Sequence, residues 1–346
     1  MTTSDKPAAC PLVMALAALA SLLLPAAAQS ASIRFATLAP EGSTWMNIMT
    51  EFNAELKEKT GGQLEFKMYP GGVQGDDRDV VKKMQIGELQ AAGLTGVGLG
   101  MIAPSVRILD SPWLFHNAHE LEAIHEQFDP EFSRDFEKGG YVLLGWTDLG
   151  FVYVFSQNPI ERPADFRAQK MWMWEGDPIA QAAYQALGVD PVPLSVIDVM
   201  ASLETGLINA VYGPPLGVVA LQWFTQAKYI YSEPLAYSSG AVVMRKKTFD
   251  ALPQAQQKAL LSLGRKYFAR LNGMTRRENG QALRSLESQG LKMSSKPSIA
   301  DVALYDKLGH QARLSLIGKL YTADLLKRVE SSLAKLRGKR IRRAHR

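Results

Sequence analysis

Short alternating apolar segments and longer segments of helical periodicity follow one another along most of the chain. Residues 33–38 alternate as a strand, and Ser43 is placed to cap a helix over 44–59. A second strand over 63–69 and a second helix over 77–86 follow, separated by a Pro-Gly-Gly turn. This order predicts an α/β layer with a mainly parallel sheet.

The later segments continue the same alternation. Further helices are predicted over 118–128, 130–138, 178–187, 218–227, 253–291 and 299–336. Further strands are predicted over 89–100, 141–146, 150–156, 171–174, 229–230 and 241–244, with another αβ unit over 195–212. The sequence has no internal repeat and no low-complexity linker, so we expect the domain boundaries to lie inside compact crossings of the chain.

The first 28 residues have the pattern of a secretory signal peptide. Lys6 precedes an apolar run over 11–25, and small residues follow at 26–30. The run is too short for a membrane span, and Cys10, the one cysteine, precedes it. We therefore predict a soluble periplasmic protein whose mature chain lacks cysteine, which excludes disulfides, thiol catalysis and cysteine metal sites.

The formal net charge of +5 comes from one end of the chain. Six of the 39 basic residues lie in the last ten positions, and the other 33 balance the 34 acidic residues. We interpret 334–346 as a basic, solvated and disordered C-terminal tail. No aromatic residue lies within it, so we expect no nucleic acid as partner.

The sequence contains no motif that indicates an enzyme. His116, His119 and His125 lack metal-site spacing, and no nucleophile elbow or Walker loop is present. Gly96, Gly98 and Gly100 do not match a nucleotide fingerprint, and we interpret them as backbone approached closely by a ligand or a strand. The expectation is a protein without catalytic residues, cofactor or metal.

Aromatic residues concentrate near turns in the middle of the chain. Trp172 and Trp174 share one face of a predicted strand, and Phe151 and Tyr153 share one face of another. Tyr212 and Pro214 follow a further αβ unit. We predict that these residues line an apolar ligand pocket, while the alternative that each row packs into a core stays open.

Four ordered motifs resemble a known family. They are IRFATLAPEGSTW, TGGQLEFKMYPGG, GDDRDVVKKMQIGELQAAGLT and NPIERPADFRAQKMW. Their order and spacing are similar to those of the solute-binding proteins of tripartite ATP-independent periplasmic (TRAP) transporters, of the dicarboxylate-binding type. The resemblance covers residues 31–330.

The resemblance implies a two-domain periplasmic solute-binding protein of α/β class, with discontinuous domains, a hinged cleft and a long helix at 253–291 spanning both domains. The expected domains are 31–148 plus 236–275, and 149–235 plus 276–333. The implied partners are a small-molecule ligand and the small and large permease subunits in the membrane. We expect the receptor to be a monomer.

One departure from the family pattern bears on the ligand. Family members usually carry an arginine that pairs with the ligand carboxylate at the position of Trp172, and relatives for sugar acids can carry another in the strand where Val152 stands. An indole does not replace a guanidinium in a carboxylate clamp. We therefore predict an apolar, aromatic or cationic ligand, with Asp148, Glu175 or Asp177 supplying charge to a cation.

In the first domain, the resemblance places Trp45, Gln74, Thr95 and Gly96 in loops that line the cleft. Asp76 and Asp77 stand in the same loops, although a helix cap explains them equally well.

Two alternatives stay open. One is an organic-acid receptor in which Arg78, Arg107 or Lys170 replaces the missing arginine. The other is a periplasmic sensor or lipid carrier on the same fold.

Overall fold

The computed structural model of the protein describes residues 31–344, and side chains from 32 to 338. Its helices are α1 Thr44–Lys59, α2 Asp77–Ile86, α3 Gly96–Ile102, α4 Ala118–Lys138, α5 Pro178–Leu187, α6 Val199–Glu204, α7 Pro215–Ala220, α8 Lys246–Asp250, α9 Gln254–Ser288, α10 Ile299–Ser315 and α11 Ala323–Ala344. Its strands are β1 Ala31–Thr37, β2 Leu64–Tyr69, β3 Ala91–Thr95, β4 Tyr141–Ser156, β5 Trp172–Trp174, β6 Val192–Leu194, β7 Ala210–Gly213, β8 Tyr229–Ile230, β9 Ala236–Arg245 and β10 Lys292–Met293. Short 3₁₀ turns include Pro104–Asp110, Pro163–Ala168, Val196–Asp198 and Trp223–Gln226. The signal peptide expected at 1–28 lies outside the described residues.

Eight strands form one mixed sheet in the order β10-β8-β4-β9-β3-β1-β2, with β7 paired to β4. β1 runs parallel to β2 and β3, whereas β9 is antiparallel to β3 and β4. β5 and β6 form a separate parallel pair. The predicted α/β class with a two-domain architecture is confirmed, although the sheet is more mixed than the alternation indicated.

The long strand β4 connects two regions of the sheet. Its first part pairs with β9, and its last residues pair with β7 and β8. The prediction of two separate strands at 141–146 and 150–156 was wrong. Irregularities at Leu143/Gly145 and Asp148/Gly150 bend one continuous strand, and Gly150 has a φ of 114° that favours glycine.

Helix α9 is the long helix expected from the sequence. It has 35 residues and a length of roughly 50 Å. Its first half packs Leu260, Leu263 and Phe268 into the core that α1 shares with β1 and β2, and Leu286 packs into a second core that contains Trp172. One continuous helix therefore contacts both cores.

Helix α4 continues through Pro130, where two helices were predicted. Pro130 cannot donate a backbone hydrogen bond to the carbonyl of Glu126, one turn earlier. Glu126 is exposed, so solvent can reach that carbonyl. Phe128, Phe132 and Phe136 are buried on one face of the helix. Packing of this face outweighs the local preference against proline.

The segment 89–100 was predicted as one strand and contains two elements. The strand ends at Thr95, whose hydroxyl accepts the backbone N–H of Val97 at 3.4 Å and so caps helix α3. Glycines therefore form the first turns of a helix. They leave room for side chains that approach this helix, as the site shows below.

The C-terminal region also differs from its prediction. Residues 299–336 form two helices, and the second continues through Ala344. Arg337 donates to Glu120 Oε2 and to the carbonyl of Leu114, both at 2.7 Å. The interpretation of 334–346 as a disordered tail is thus wrong for 334–344, because an ion pair and a helix order this segment. No helix within residues 31–344 combines the length and apolarity that a membrane crossing needs.

The expected domain boundaries stay predictions. The first boundary, at 148/149, falls at the irregularity in β4, and the boundary at 275/276 falls inside α9. Both elements are continuous there, which is compatible with crossing points between two domains.

His125 is enclosed between helix α4 and strand β4. Its ring stacks on Trp146 with 4.8 Å between ring centroids, and its Nε2 atom has no hydrogen-bond partner. Burial, aided by the positive charge of Arg276, lowers the pKa of His125 to about 4. The neutral imidazole is therefore the form that folding favours. His119, in contrast, is largely exposed.

We expect His125→Phe to reduce the loss of stability on acidification. The unfolded histidine titrates near its ordinary pKa of 6.5, so protonation removes stability as the pH falls from about 6.5 to about 4. Urea unfolding at pH 7 and pH 4 measures this loss, which is expected to shrink by on the order of 2 kcal/mol in the variant.

The control is His119→Phe, which alters an exposed histidine of the same helix and is expected to keep the wild-type pH dependence. Equal losses in His125→Phe and the wild type would contradict the assignment.

Candidate functional site

A cavity of about 780 Å³ lies where the two expected domains meet. Residues from the β1–α1 loop, the β3–α3 junction and the bend of β4 line one side. Residues from β5, the start of α5, the β7–α7 junction and the 3₁₀ turn at Trp223 line the other. This volume falls in the range of small-molecule sites.

One wall of the cavity is aromatic. The ring of Trp172 stacks on Tyr212 with 4.8 Å between centroids, meets Trp223 edge-on at 5.2 Å and lies 6.0 Å from Trp174. Trp172 is only 1% exposed, so it supports the wall from behind. The pocket and core interpretations of the Trp172–Trp174 strand are therefore compatible, since Trp172 belongs to the core and also borders the cavity.

The polar atoms of this wall are bonded to the protein itself. Trp172 Nε1 donates to the carbonyl of Leu194 at 3.1 Å, and the Tyr184 hydroxyl donates to the carbonyl of Trp172 at 2.9 Å. The Tyr212 hydroxyl accepts the backbone N–H of Trp174 at 3.1 Å. What these side chains offer to a ligand is therefore chiefly the surface of their rings.

Trp45 lines the cavity from the other side. Its ring stacks on Phe35 at 6.0 Å, and a Cβ atom on Gly93 would lie 2.5 Å from the indole. The absence of a side chain at Gly93 thus makes room for this tryptophan.

Arg107 is the one lysine or arginine among the lining residues within the described part of the chain. Its side chain is 4% exposed, Nη2 donates to Asp177 Oδ1 at 2.8 Å, and Nε lies 3.0 Å from Asp110 Oδ2. Burial opposes its charge, but Asp177 and Asp110 outweigh burial and raise the pKa of Arg107. The guanidinium therefore stays charged and is matched by two carboxylates.

Asp110 occupies space that a glycine provides. A Cβ atom on Gly96 would lie 1.9 Å from Asp110 Oδ2, and Asp110 Oδ1 accepts the backbone N–H of Ser239 at 2.8 Å. Burial raises the pKa of Asp110 to about 6, although Arg107 counteracts it. The cluster of Arg107, Asp110 and Asp177 thus places two aspartate side chains against one guanidinium.

The other charged residues of the lining are acidic as well. Asp148 pairs with Arg276, and Glu278 accepts the Thr44 hydroxyl at 2.8 Å. Glu41 is exposed at the entrance. The electrostatic character of the cavity is thus neutral to negative.

Seven of the ten residues predicted for the site line this cavity. They are Trp45, Thr95, Gly96, Trp172, Trp174, Tyr212 and Pro214. The hydroxyl proton of Thr95 is already used within the protein, because this hydroxyl donates to Asp77 Oδ2 at 2.6 Å. Burial raises the pKa of Asp77 to about 6, and this carboxyl holds the β3–α3 junction, where it also accepts the N–H of Gly98.

Phe151, Tyr153 and Gln74 do not line the cavity. The irregularity of β4 before Gly150 changes which side chains of the strand point to each face of the sheet. Val152 therefore faces the cavity, whereas Phe151 packs against Tyr237 with 4.8 Å between ring centroids. Tyr153 packs against the core around Trp172. The Gln74 side chain instead accepts a hydrogen bond from Lys83 at 2.9 Å.

Asp177 and Arg107 were weighed in the sequence only as possible sources of charge, and Asp110 was missed. The sequence does contain a signal for Arg107 and Asp110. These two opposite charges lie three residues apart in an otherwise apolar segment, 106–110, and charged residues are rarely buried unless they are paired. Arg78 instead pairs with Glu175 at 3.2 Å, and Lys170 is exposed and donates to the carbonyl of Gly206.

No group of three or more histidine, cysteine or acidic side chains suited to a metal ion occurs within residues 31–344. His116 and His119 are exposed, and His125 stacks on Trp146.

The fold and the cleft define a solute-binding protein, and comparison with known proteins gives the family. The model of the bacterial extracellular solute-binding proteins, family 7, matches residues 35–310. The chain belongs to this family, and its role is that of a TRAP solute-binding receptor. TRAP solute-binding proteins bind small-molecule ligands and work with permease components in the membrane.

Relatives agree with this assignment. The chain is 27% identical over 293 residues to the 2,3-diketo-L-gulonate-binding periplasmic protein YiaO of Escherichia coli, covering 81% of this chain and 85% of that one. A TRAP periplasmic solute-binding protein of Citrobacter koseri with bound D-glucuronate superposes with a TM-score of 0.79 at 23% identity, covering 88% and 99% of the chains. The sugar acid binding protein DctPAm of Advenella mimigardefordensis, in complex with galactonate, gives 0.82 at 17% identity and covers 89% and 99%.

We expect Arg107→Met to destabilise the protein by about 3–5 kcal/mol at pH 8, because it leaves Asp110 and Asp177 buried without their counter-ion. The loss is expected to be smaller at pH 5, where Asp110, with its pKa of about 6, takes up a proton. Urea unfolding at both pH values measures it.

Arg78→Met is the matched control. It breaks another arginine–carboxylate pair, in which the side chains are 33% and 58% exposed, and is expected to change stability by less than about 1 kcal/mol. Similar losses in the two variants would contradict the role given to Arg107.

Proposed function

We propose that this chain is the periplasmic receptor of a TRAP transporter for a small, predominantly apolar ligand that is uncharged or cationic. The observation that carries the proposal is the neutralisation of Arg107, the one basic residue of the described lining, by Asp110 and Asp177.

The electrostatics disfavour a carboxylate ligand. A carboxylate that approached Arg107 would also approach two carboxylates of the protein. Unit charges 4 Å apart interact by about 4 kcal/mol at an effective dielectric constant of 20, so repulsion from the two aspartates offsets much of the attraction to Arg107. Moving an anion from water into an apolar cavity also carries a cost of desolvation.

The aromatic wall supports the choice of an apolar body. Ring stacking and burial need no polar partner, and an aromatic group that buries roughly 200 Å² gains about 5 kcal/mol before the cost of association. A cation would gain from the faces of Trp174 and Tyr212 and from the carboxylates of the Arg107 cluster.

The relatives differ from this proposal in their ligands. The names of YiaO, the Citrobacter koseri protein and DctPAm refer to sugar acids or keto acids. In this chain Trp172 stands where the family pattern places an arginine, and Arg107 is occupied by aspartates. We therefore transfer the receptor role from the relatives and not their ligand class.

Ligand capture follows from contacts between the two sides of the cleft. Asp76 accepts the Ser195 hydroxyl at 2.8 Å and the indole N–H of Trp174 at 3.4 Å, next to the cavity. We propose that these contacts form when the domains close over the ligand, with β4 and α9 as the connections that bend. The closed receptor would then dock, as a monomer, on the small and large permease subunits.

The two alternatives from the sequence are weaker. An organic-acid receptor would have to use Arg107, because Arg78 and Lys170 lie outside the lining. A sensor or lipid carrier would use the same cavity, and no separate contact favours it.

The test is isothermal titration of the wild-type protein, freed of bound ligand by unfolding and refolding, with tryptamine, indole-3-acetamide and indole-3-acetate. These probes share one ring and differ in charge. We expect the cation and the amide to bind at least about tenfold more tightly than the acid, as follows from one unfavourable charge contact. Tightest binding by indole-3-acetate would contradict the proposed ligand class.

A further inference from the structure

The Arg107–Asp177 contact joins the two sides of the cleft. Arg107 belongs to the 3₁₀ turn Pro104–Asp110, in the first expected domain. Asp177 follows β5 in the second and is the N-cap residue of helix α5. Opening the cleft would therefore separate these two side chains.

This contact differs from the ion pair between Arg78, in helix α2, and Glu175. The side chains of Arg107 and Asp177 are 4% and 8% exposed, whereas those of Arg78 and Glu175 are 33% and 58% exposed. Both pairs involve the short segment between β5 and α5. The buried pair lines the cavity, and the exposed pair does not.

Asp177 is fixed in position by the backbone. Its Oδ1 atom, which accepts from Arg107, also accepts the N–H of Ile179 at 3.0 Å and so caps α5. Gly176, with a φ of 76°, makes the turn that directs Asp177 toward the cavity. The carboxylate is thus held in place without a ligand.

Asp177 holds the Nη2 group of Arg107, which a ligand carboxylate would need for a two-bond clamp. A bidentate clamp uses two neighbouring N–H groups of one arginine. In Arg107 the Nη2 group donates to Asp177, while Nε lies 3.0 Å from Asp110 Oδ2 without forming a hydrogen bond. Asp110 lies on the same turn as Arg107 and is tied to Ser239, whereas Asp177 lies across the cleft, so Asp177 is the partner that domain opening releases.

We propose that Asp177 determines the charge of the ligand by competing with ligand carboxylates for Arg107. An uncharged or cationic ligand leaves the Arg107–Asp177 contact free to form, and the domains close. A carboxylate on Arg107 displaces Asp177 and opposes closure. This inference rests on the proposed receptor function and names the residue that sets its selectivity.

The test compares indole-3-acetate with indole-3-acetamide in Asp177→Asn. Asparagine keeps the size of the side chain and remains a good N-cap, but removes the charge that competes for Arg107. Isothermal titration gives the affinity of the acid relative to the amide. We expect this ratio to rise about tenfold to a hundredfold over the wild type, the range of a hydrogen bond to a charged group.

Glu175→Gln is the matched control. It removes one negative charge two residues away, from the exposed pair with Arg78, and is expected to leave the acid-to-amide ratio at the wild-type value. If Asp177→Asn does not fold by circular dichroism, Asp177→Ser replaces it, because serine also caps a helix without a charge.

The outcomes separate the two claims. Preference of the wild type for indole-3-acetate overturns the proposed function. A wild type that prefers the amide, with an unchanged ratio in the Asp177 variant or no binding of either probe to it, overturns the inference and leaves the receptor function standing. An equal rise in Glu175→Gln also overturns it, because net charge would then explain the effect.

Discussion

A charged guanidinium buried beside an apolar cavity must be neutralised by the protein or by a ligand. In this receptor Asp110 and Asp177 neutralise Arg107. Other features of the site follow from that cluster. A side chain at Gly96 would clash with Asp110. Asp177 both accepts a hydrogen bond from Arg107 and caps the N-terminus of α5.

Under the proposed function, the same cluster is what lets a shared fold accept a different ligand class. A receptor for acids requires a cation that a ligand can reach, while here Arg107 is paired with two aspartates, and its Nη2 and the Trp172 indole N–H are bonded within the protein. Ring surface then provides the main attraction. The family fold places the cleft, and in our proposal the pairing of charges inside the cleft selects the ligand.

The sequence predicted what depends on local pattern. Helices α1 and α2, strand β2 and the long helix α9 lie within a few residues of their predicted positions. The errors arise where tertiary packing outweighs local preference. Pro130 lies inside a helix whose phenylalanines are buried, and the irregularity before Gly150 exchanges the faces of β4.

The site was predicted only in part for a similar reason. Trp174 and Tyr212 were identifiable because aromatic residues near turns often border a cleft. The contact between Arg107 and Asp177 was not, because the two residues are 70 positions apart and only the folded chain brings them together. The side of the sheet on which Phe151 and Tyr153 lie depends on one irregular position in β4. The alternation of apolar and polar residues does not reveal that position.

The most direct test is native mass spectrometry of the protein purified from its periplasm, followed by denaturing extraction and identification of the bound molecule. The account predicts an uncharged or cationic molecule with a largely apolar body. An organic acid recovered at one molecule per protein would contradict it, since Arg107 would then be available to a ligand carboxylate despite Asp110 and Asp177.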